Sequence, residues 1–336
     1  MKKILIIGAG WYGCHLGLYL KEKGFNVSIY EKEKDIFMGS SGRNQFRLHQ
    51  GYHYPRSSIT IKEAKNNFLK FKKKYGSFET LPKNNIYCIA KKESLIDFGT
   101  YLNVLKSHNL FFSKKKFGFL QNIEGSVLAR EGVILNSKIK NFYKKILKKE
   151  IKFGKKIKSL NKLSKNFNYL IDCTNNTFRN HFSNEIRYIL TISFIYKKRK
   201  GFKVYPVTIM DGKLPSIYPY SDKKDFFTLT HSEYTHIKSF KTFKGMEKFK
   251  KNISKKLIEN YKNLSEKSIK NFYSEFKKCL IYKGYFLSYK IIPYGKTDVR
   301  PTFYKREKKF LSIFSPKIGN IFTAEKIVKE FINAKN

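Results

Sequence analysis

The residues best placed for chemistry lie close to the start of the chain. Gly8-Ala9-Gly10-Trp11-Tyr12-Gly13 is a G-x-G-x-x-G set between the apolar run Ile4 to Ile7 and a helical pattern. In such a turn Gly8 permits the sharp reversal, Gly10 lets the backbone approach a pyrophosphate, and Gly13 lets the helix close onto the strand. The helix start then offers free N–H groups and a positive dipole end to phosphate. Glu31 follows Gly13 by 18 residues, at the tip of the next apolar run. A carboxylate there hydrogen-bonds ribose hydroxyls and repels a 2′-phosphate. Strand, glycine turn, helix, second strand and acid agree, and together they predict a dinucleotide site. The four cysteines, Cys14, Cys88, Cys173 and Cys279, are scattered without a C-x-x-C pair. They read as buried thiols, not as a disulfide framework or a metal site.

These residues need elements to hold them. Residues 3–7 are expected as a strand, 11–23 as a helix with Leu16, Tyr19 and Leu20 on its apolar face, and 25–30 as a second strand. Residues 36–58 form a polar segment rich in Gly, Ser, Arg, Asn and His. Helices are expected over 59–75, 93–107, 136–149, 244–261, 264–279 and 323–332. Short strands are expected at 86–90, 117–120, 151–153, 169–172, 285–293 and 310–314. Residues 186–235 alternate aromatic and polar types between turn signals, as an antiparallel sheet requires. The pattern leaves its first βαβ module and returns to it twice. The expected fold class is therefore α/β, a Rossmann-like dinucleotide-binding domain interleaved with an α+β substrate domain built on a mainly antiparallel sheet. The boundaries are 1–85, 120–185 and 290–336 for the first and 86–119 and 186–289 for the second.

The stretch Gly39-Ser40-Ser41-Gly42-Arg43-Asn44 resembles the second flavin-contact region of the D-amino-acid-oxidase-like FAD-dependent oxidoreductases. Arg47-Leu48-His49-Gln50-Gly51-Tyr52-His53-Tyr54-Pro55 is similar to a segment of the L-2-hydroxyglutarate oxidases. Tyr169 to Thr174 resembles the family's hydrophobic strand near the cofactor, with Asn175 and Asn176 where glycine is usual. Asp298-Val299-Arg300-Pro301 resembles its Arg-Pro element. The loop Ser315 to Asn320 takes the place of its C-terminal glycine loop. The resemblance implies FAD as cofactor, bound by Gly8, Gly10, Gly13 and Glu31. It also implies contacts from Ser40, Arg43 and Asn44 to phosphate and flavin, and from Lys317 and Gly319 to the flavin's pyrimidine edge.

In such an enzyme the flavin carries the redox chemistry, so few catalytic side chains are expected. His49 and His53 are the candidates for accepting a substrate proton, against a purely structural role in the loop. Arg300 is a candidate for gripping a substrate carboxylate, against an ordinary ion pair. Tyr218 and Tyr220 are candidates to line the flavin face, while Trp11 and His231 read as packing residues. The expected activity is oxidation of a small amine or 2-hydroxy acid by hydride transfer to FAD. A tailoring enzyme for a sugar or nucleotide-sugar, and a flavin-fold binding protein without turnover, remain as alternatives.

Charge is the other dominant feature: 70 Lys and Arg against 25 Asp and Glu, a formal +45 over 336 residues. Such a field draws in anions, including an anionic small-molecule substrate. The lysines are spread along the whole chain and no nucleic-acid-binding motif accompanies them, so no specific nucleic-acid partner is expected. No apolar stretch reaches the length of a membrane span. The run Ile4 to Ile7 is too short for a signal peptide, which makes the cytoplasm the default location.

Overall fold

The computed structural model describes residues 1–157, 159–160, 163–179, 181–295 and 301–334. Four aliphatic residues in succession, Ile4 to Ile7, are buried in the strand Lys3–Ile7. A strand apolar on both faces has to lie inside a sheet covered on both sides. Lys3–Ile7 is indeed interior to a six-stranded sheet. Its order is Phe303–Glu307, Phe310–Phe314, Tyr169–Asp172, Lys3–Ile7, Asn26–Tyr30 and Ile151–Lys152. Its neighbours are parallel except for the outermost pair, Phe303–Glu307 with Phe310–Phe314.

The helix Trp11–Glu22 springs from the first strand and stops before Gly24, whose φ of +79° is the left-handed backbone that favours glycine. His15, wholly buried on this helix, is tied to the Tyr75 hydroxyl at 2.7 Å and to Glu325 at 3.0 Å. That fixes the glycine-turn helix against the helices Ser58–Tyr75 and Ile321–Asn333. Trp11 packs with Phe37, Phe71, Tyr75 and Tyr143, the packing role expected of it.

A second sheet has nine strands. Its main path runs His236–Phe240, Ile186–Lys198, Phe226–His231, Pro215–Pro219, Val207–Met210, Ile86–Ala90, Ile123–Ala129 and Phe112–Lys114, and Leu280–Pro293 pairs with Ile186–Lys198. Every pairing is antiparallel except Val207–Met210 with Ile86–Ala90. The fold is thus the α/β class expected, a Rossmann-like module joined to a mainly antiparallel sheet. One face of this sheet carries polar side chains over adjacent strands, namely Tyr87, Thr208, Ser216, Tyr218 and Thr228. A third sheet is small: Arg47–Leu48, Gly132–Ile134 and Glu79–Thr80. It bridges the polar segment to the chain leaving the larger sheet.

Some elements differ from expectation. Residues 117–120 form a turn with one isolated bridge, Leu120 to Tyr273, and the strands lie either side at Phe112–Lys114 and Ile123–Ala129. The expected helix over 244–261 is two helices, Phe243–Lys251 and Lys255–Lys270, because the Ser254 hydroxyl accepts the Leu257 N–H and starts the second one afresh. The helix at 93–107 begins only at Phe98, where Asp97 caps it. All four cysteines are free and buried. Among the described residues no helix is long and apolar enough to cross a membrane, and no group of three or more His, Cys, Asp or Glu could hold a metal ion.

Candidate active site

The glycine turn is built for close approach. Gly8 sits at φ +97° against the Cys173 carbonyl, and a Cβ on Gly13 would lie 1.8 Å from the Gly8 carbonyl oxygen. Glu31 lies beside the turn at the end of Asn26–Tyr30, where its carboxylate accepts the N–H of Ala9 at 2.7 Å and of Glu33 at 3.0 Å. The helix start at Gly10 has no cap from its own side chain; the Trp11 N–H donates to Ser41 Oγ at 3.0 Å. A tight turn, a dipole end and an acid at the strand tip fit the pyrophosphate and ribose of FAD.

Asn175 and Asn176 stand where the resembling family has glycine, and both take left-handed backbone, φ +59° and +57°. Asparagine tolerates that region better than other side chains. The turn is therefore kept while the residue type changes.

The neighbouring loop distributes its roles unevenly. Ser41, not Ser40, reaches the helix start. Ser40 and Asn175 lie near the Tyr289 hydroxyl. Asn44 spends its amide on the loop itself, donating to the Ser40 carbonyl at 2.9 Å and accepting the Phe46 N–H at 2.5 Å. Arg43 is exposed.

Beyond the loop, antiparallel register does the positioning. Arg47 pairs with Val133 and Leu48 with Gly132, so the next step along each strand brings His49 beside Glu131. Glu131 is fully buried. Its carboxylate takes His49 Nδ1 at 3.2 Å, the Gln50 N–H at 3.1 Å, and the Tyr87 hydroxyl. Burial pushes such a carboxyl upward, but the charge and hydrogen bond of His49, the Tyr87 hydroxyl and the Arg47 charge outweigh it and bring it down to about 2. Glu131 escaped the sequence reading. The signal available was a lone acid, flanked by Arg130 and Gly132, in a chain short of acids.

Arg47 is itself buried. Its guanidinium donates to Thr208 Oγ1 at 2.9 Å and to Ser216 Oγ, and it lies 3.9 Å from the centre of the Tyr218 ring. A quarter of the His49 side chain is accessible, and its Nε2 has no partner among the described residues. The ring stacks on His53 with centroids 5.4 Å apart, and both contact Tyr54. His53 is exposed. Desolvation, then the neighbouring His49 and Arg47, push its imidazole downward.

The C-terminal loop closes the group. Lys317 Nζ lies 3.8 Å from the centre of the Tyr54 ring, and the Tyr12 hydroxyl donates to the Lys317 carbonyl at 2.8 Å. Asn67 and Ser315 hold Asn320 on either side, at 3.0 and 3.1 Å. Gly319 packs on Asn67, whose Cβ would be 3.3 Å from an added one.

Of the remaining candidates, Tyr218 stays with this group, while Tyr220 and His231 lie apart from it. Tyr218 is buried beneath Arg47, and its hydroxyl donates to the carbonyls of Glu131 and Gly132. Tyr220 stacks on Phe286. His231 bonds Ser268 Oγ at 3.1 Å, and desolvation lowers it to about 4, as befits a satisfied packing residue. Arg300 lies outside the described residues.

A doubly covered sheet, a glycine turn with its acid, and a histidine cluster beside Tyr54 and Lys317 are features that a flavin-binding site would need. Residues 3–121 match the DAO family of FAD dependent oxidoreductases. The enzyme class is accordingly FAD-dependent oxidoreductase, with FAD as cofactor. Over its whole length the chain is similar to the FAD-dependent monooxygenase FPY4 of Fusarium mangiferae, 29% identical across 98% of this chain and 90% of the relative. In fold it is similar to glycine oxidase from Geobacillus kaustophilus, with a TM-score of 0.70 at 10% identity, covering 100% and 96% of the two chains. It is equally similar to the FAD-bound L-alpha-glycerophosphate oxidase from Mycoplasma pneumoniae, with a TM-score of 0.70 at 12% identity and the same coverage.

Proposed function

We propose that this protein oxidises a small amine or 2-hydroxy acid at FAD held by the glycine turn, Glu31 and the loops around Ser40 to Asn44 and Ser315 to Asn320. The observation that carries this reading is convergence: Lys317 contacts both Tyr12 and Tyr54, and His49 and His53 adjoin Tyr54. These residues come from the glycine turn, the 47–55 segment and the C-terminal loop. When bound, FAD supplies the acceptor for two electrons and a hydride.

The chain's own residues do the rest. Glu31 and the start of Trp11–Glu22 bind the nucleotide, His49 accepts a proton at Nε2, and Lys317 and Arg47 make the cleft attractive to an anionic substrate. In this reading the chain divides into a nucleotide-binding unit around the six-stranded sheet and a substrate unit around the nine-stranded one.

The test is anaerobic mixing of the FAD-loaded protein with donors while its visible flavin absorption is followed. Bleaching by small amino or hydroxy acids is the expected result. Bleaching by nucleotide sugars alone would replace this reading with the sugar-tailoring one. Bound flavin that no donor bleaches would leave a binding protein. Because the Fusarium relative is named a monooxygenase, product mass measured in air separates hydride removal from oxygen insertion.

A further inference from the structure

We infer that Glu131 is the positioning residue that makes His49 a proton acceptor, and that the donor group it serves is a hydroxyl and not an amine; the inference rests on the reading of the site as an FAD oxidoreductase. The register of the small sheet sets Glu131 beside His49, and burial commits the carboxylate to what it finds there. It is ringed by three donors: His49 Nδ1, the Gln50 N–H and the Tyr87 hydroxyl. An ionised carboxylate on Nδ1 requires the proton at that nitrogen, so the lone pair is left on Nε2, the accessible side of the ring.

A fixed base of this kind answers a particular chemical need. Turning CH–OH into C=O breaks two bonds. FAD held by the glycine turn and Glu31 would supply the acceptor for the C–H electron pair as hydride, and the O–H proton would pass to His49 Nε2 as the C=O bond forms. A neutral amine needs no such acceptor, because its own nitrogen lone pair forms the C=N bond as hydride departs. A buried carboxylate bound to an accessible imidazole is therefore suited to the alcohol. His53 is less suited to the role, since among the described residues no carboxylate hydrogen-bonds its ring, and the charged groups acting on it are His49, Arg47, Glu131 and Lys317.

The experiment uses FAD-loaded protein labelled with ¹⁵N-histidine, together with the variants Glu131→Gln and His49→Gln. The expected spectrum of the unmodified protein shows His49 protonated on Nδ1, and Glu131→Gln redistributes that proton. Anaerobic flavin reduction by 2-hydroxy acids should fall by about 10²–10⁴-fold in both variants, with little change in half-saturation. A bare Nδ1 in the unmodified protein overturns the inference, and that reading needs no variant to fold. Reduction by amino acids alone, equally fast in both variants, also overturns it while leaving the oxidoreductase reading intact. Bound flavin that no donor reduces overturns both.

Discussion

Gly13 is the sharpest test of the nucleotide cradle. An alanine there brings its Cβ to 1.8 Å from a backbone oxygen, so the helix start has to shift. Gly13→Ala should weaken FAD binding at least about tenfold, or roughly 1.4 kcal/mol, as read by flavin fluorescence titration, with the far-ultraviolet circular dichroism kept. Undiminished affinity would mean that the turn does not carry the pyrophosphate. Glu131 gives a test in acid. Its folded carboxyl sits at about 2 against an ordinary 4.5, so the unfolded chain takes up the proton first. The stabilisation is complete above about pH 4.5 and is lost as pH falls through 2, amounting to at most roughly 3 kcal/mol. The groups that face it are His49, Arg47 and Tyr87. Acid titrations followed by circular dichroism should show Glu131→Gln less stable at neutral pH but with a shallower loss below pH 4.5. Parallel curves would show that Glu131 is not ionised in the fold. At this scale the glycine turn, with Glu31 at the tip of the next strand, was legible because its spacing lies within one local unit. Glu131 was not, since 82 residues separate it from His49 and only strand register joins them. Ser40 and Ser41 are adjacent and chemically identical, so no sequence pattern could choose which one reaches the helix start.

Elements with strong periodicity and local punctuation were read correctly. The strand Lys3–Ile7 declares itself by continuous burial, and Gly24 marks the helix end by its backbone angle. The misreadings came where a local hydrogen bond overrode periodicity. Ser254 splits an apparent long helix by capping its second half, and Asp97 delays another by capping at Phe98. Ser254→Ala should cost about 1 kcal/mol and lower the midpoint of thermal unfolding by about 2–4 °C. An unchanged midpoint would show that packing alone starts that helix. Arg300 belongs to a stretch outside the described residues, so its expected role stays with the proposal.

For the molecule as a whole, +45 spread over 336 residues means that like charges repel across most of the surface. Salt shortens the reach of that repulsion, from a screening length of about 10 Å at 0.1 M to about 3 Å at 1 M. The thermal midpoint should therefore climb with sodium chloride over that range, as measured by scanning calorimetry. A midpoint that does not move would show the field already compensated within the fold. The three-stranded sheet has a different consequence. Arg47–Leu48 and Glu79–Thr80 are only two residues each, held to Gly132–Ile134 by a short ladder. Short ladders open locally at far less cost than a whole domain. Opening this one separates His49 from Glu131 while both large sheets stay intact. The enzyme should thus possess two melting temperatures, a lower one at which turnover fails reversibly and a higher one at which the fold is lost.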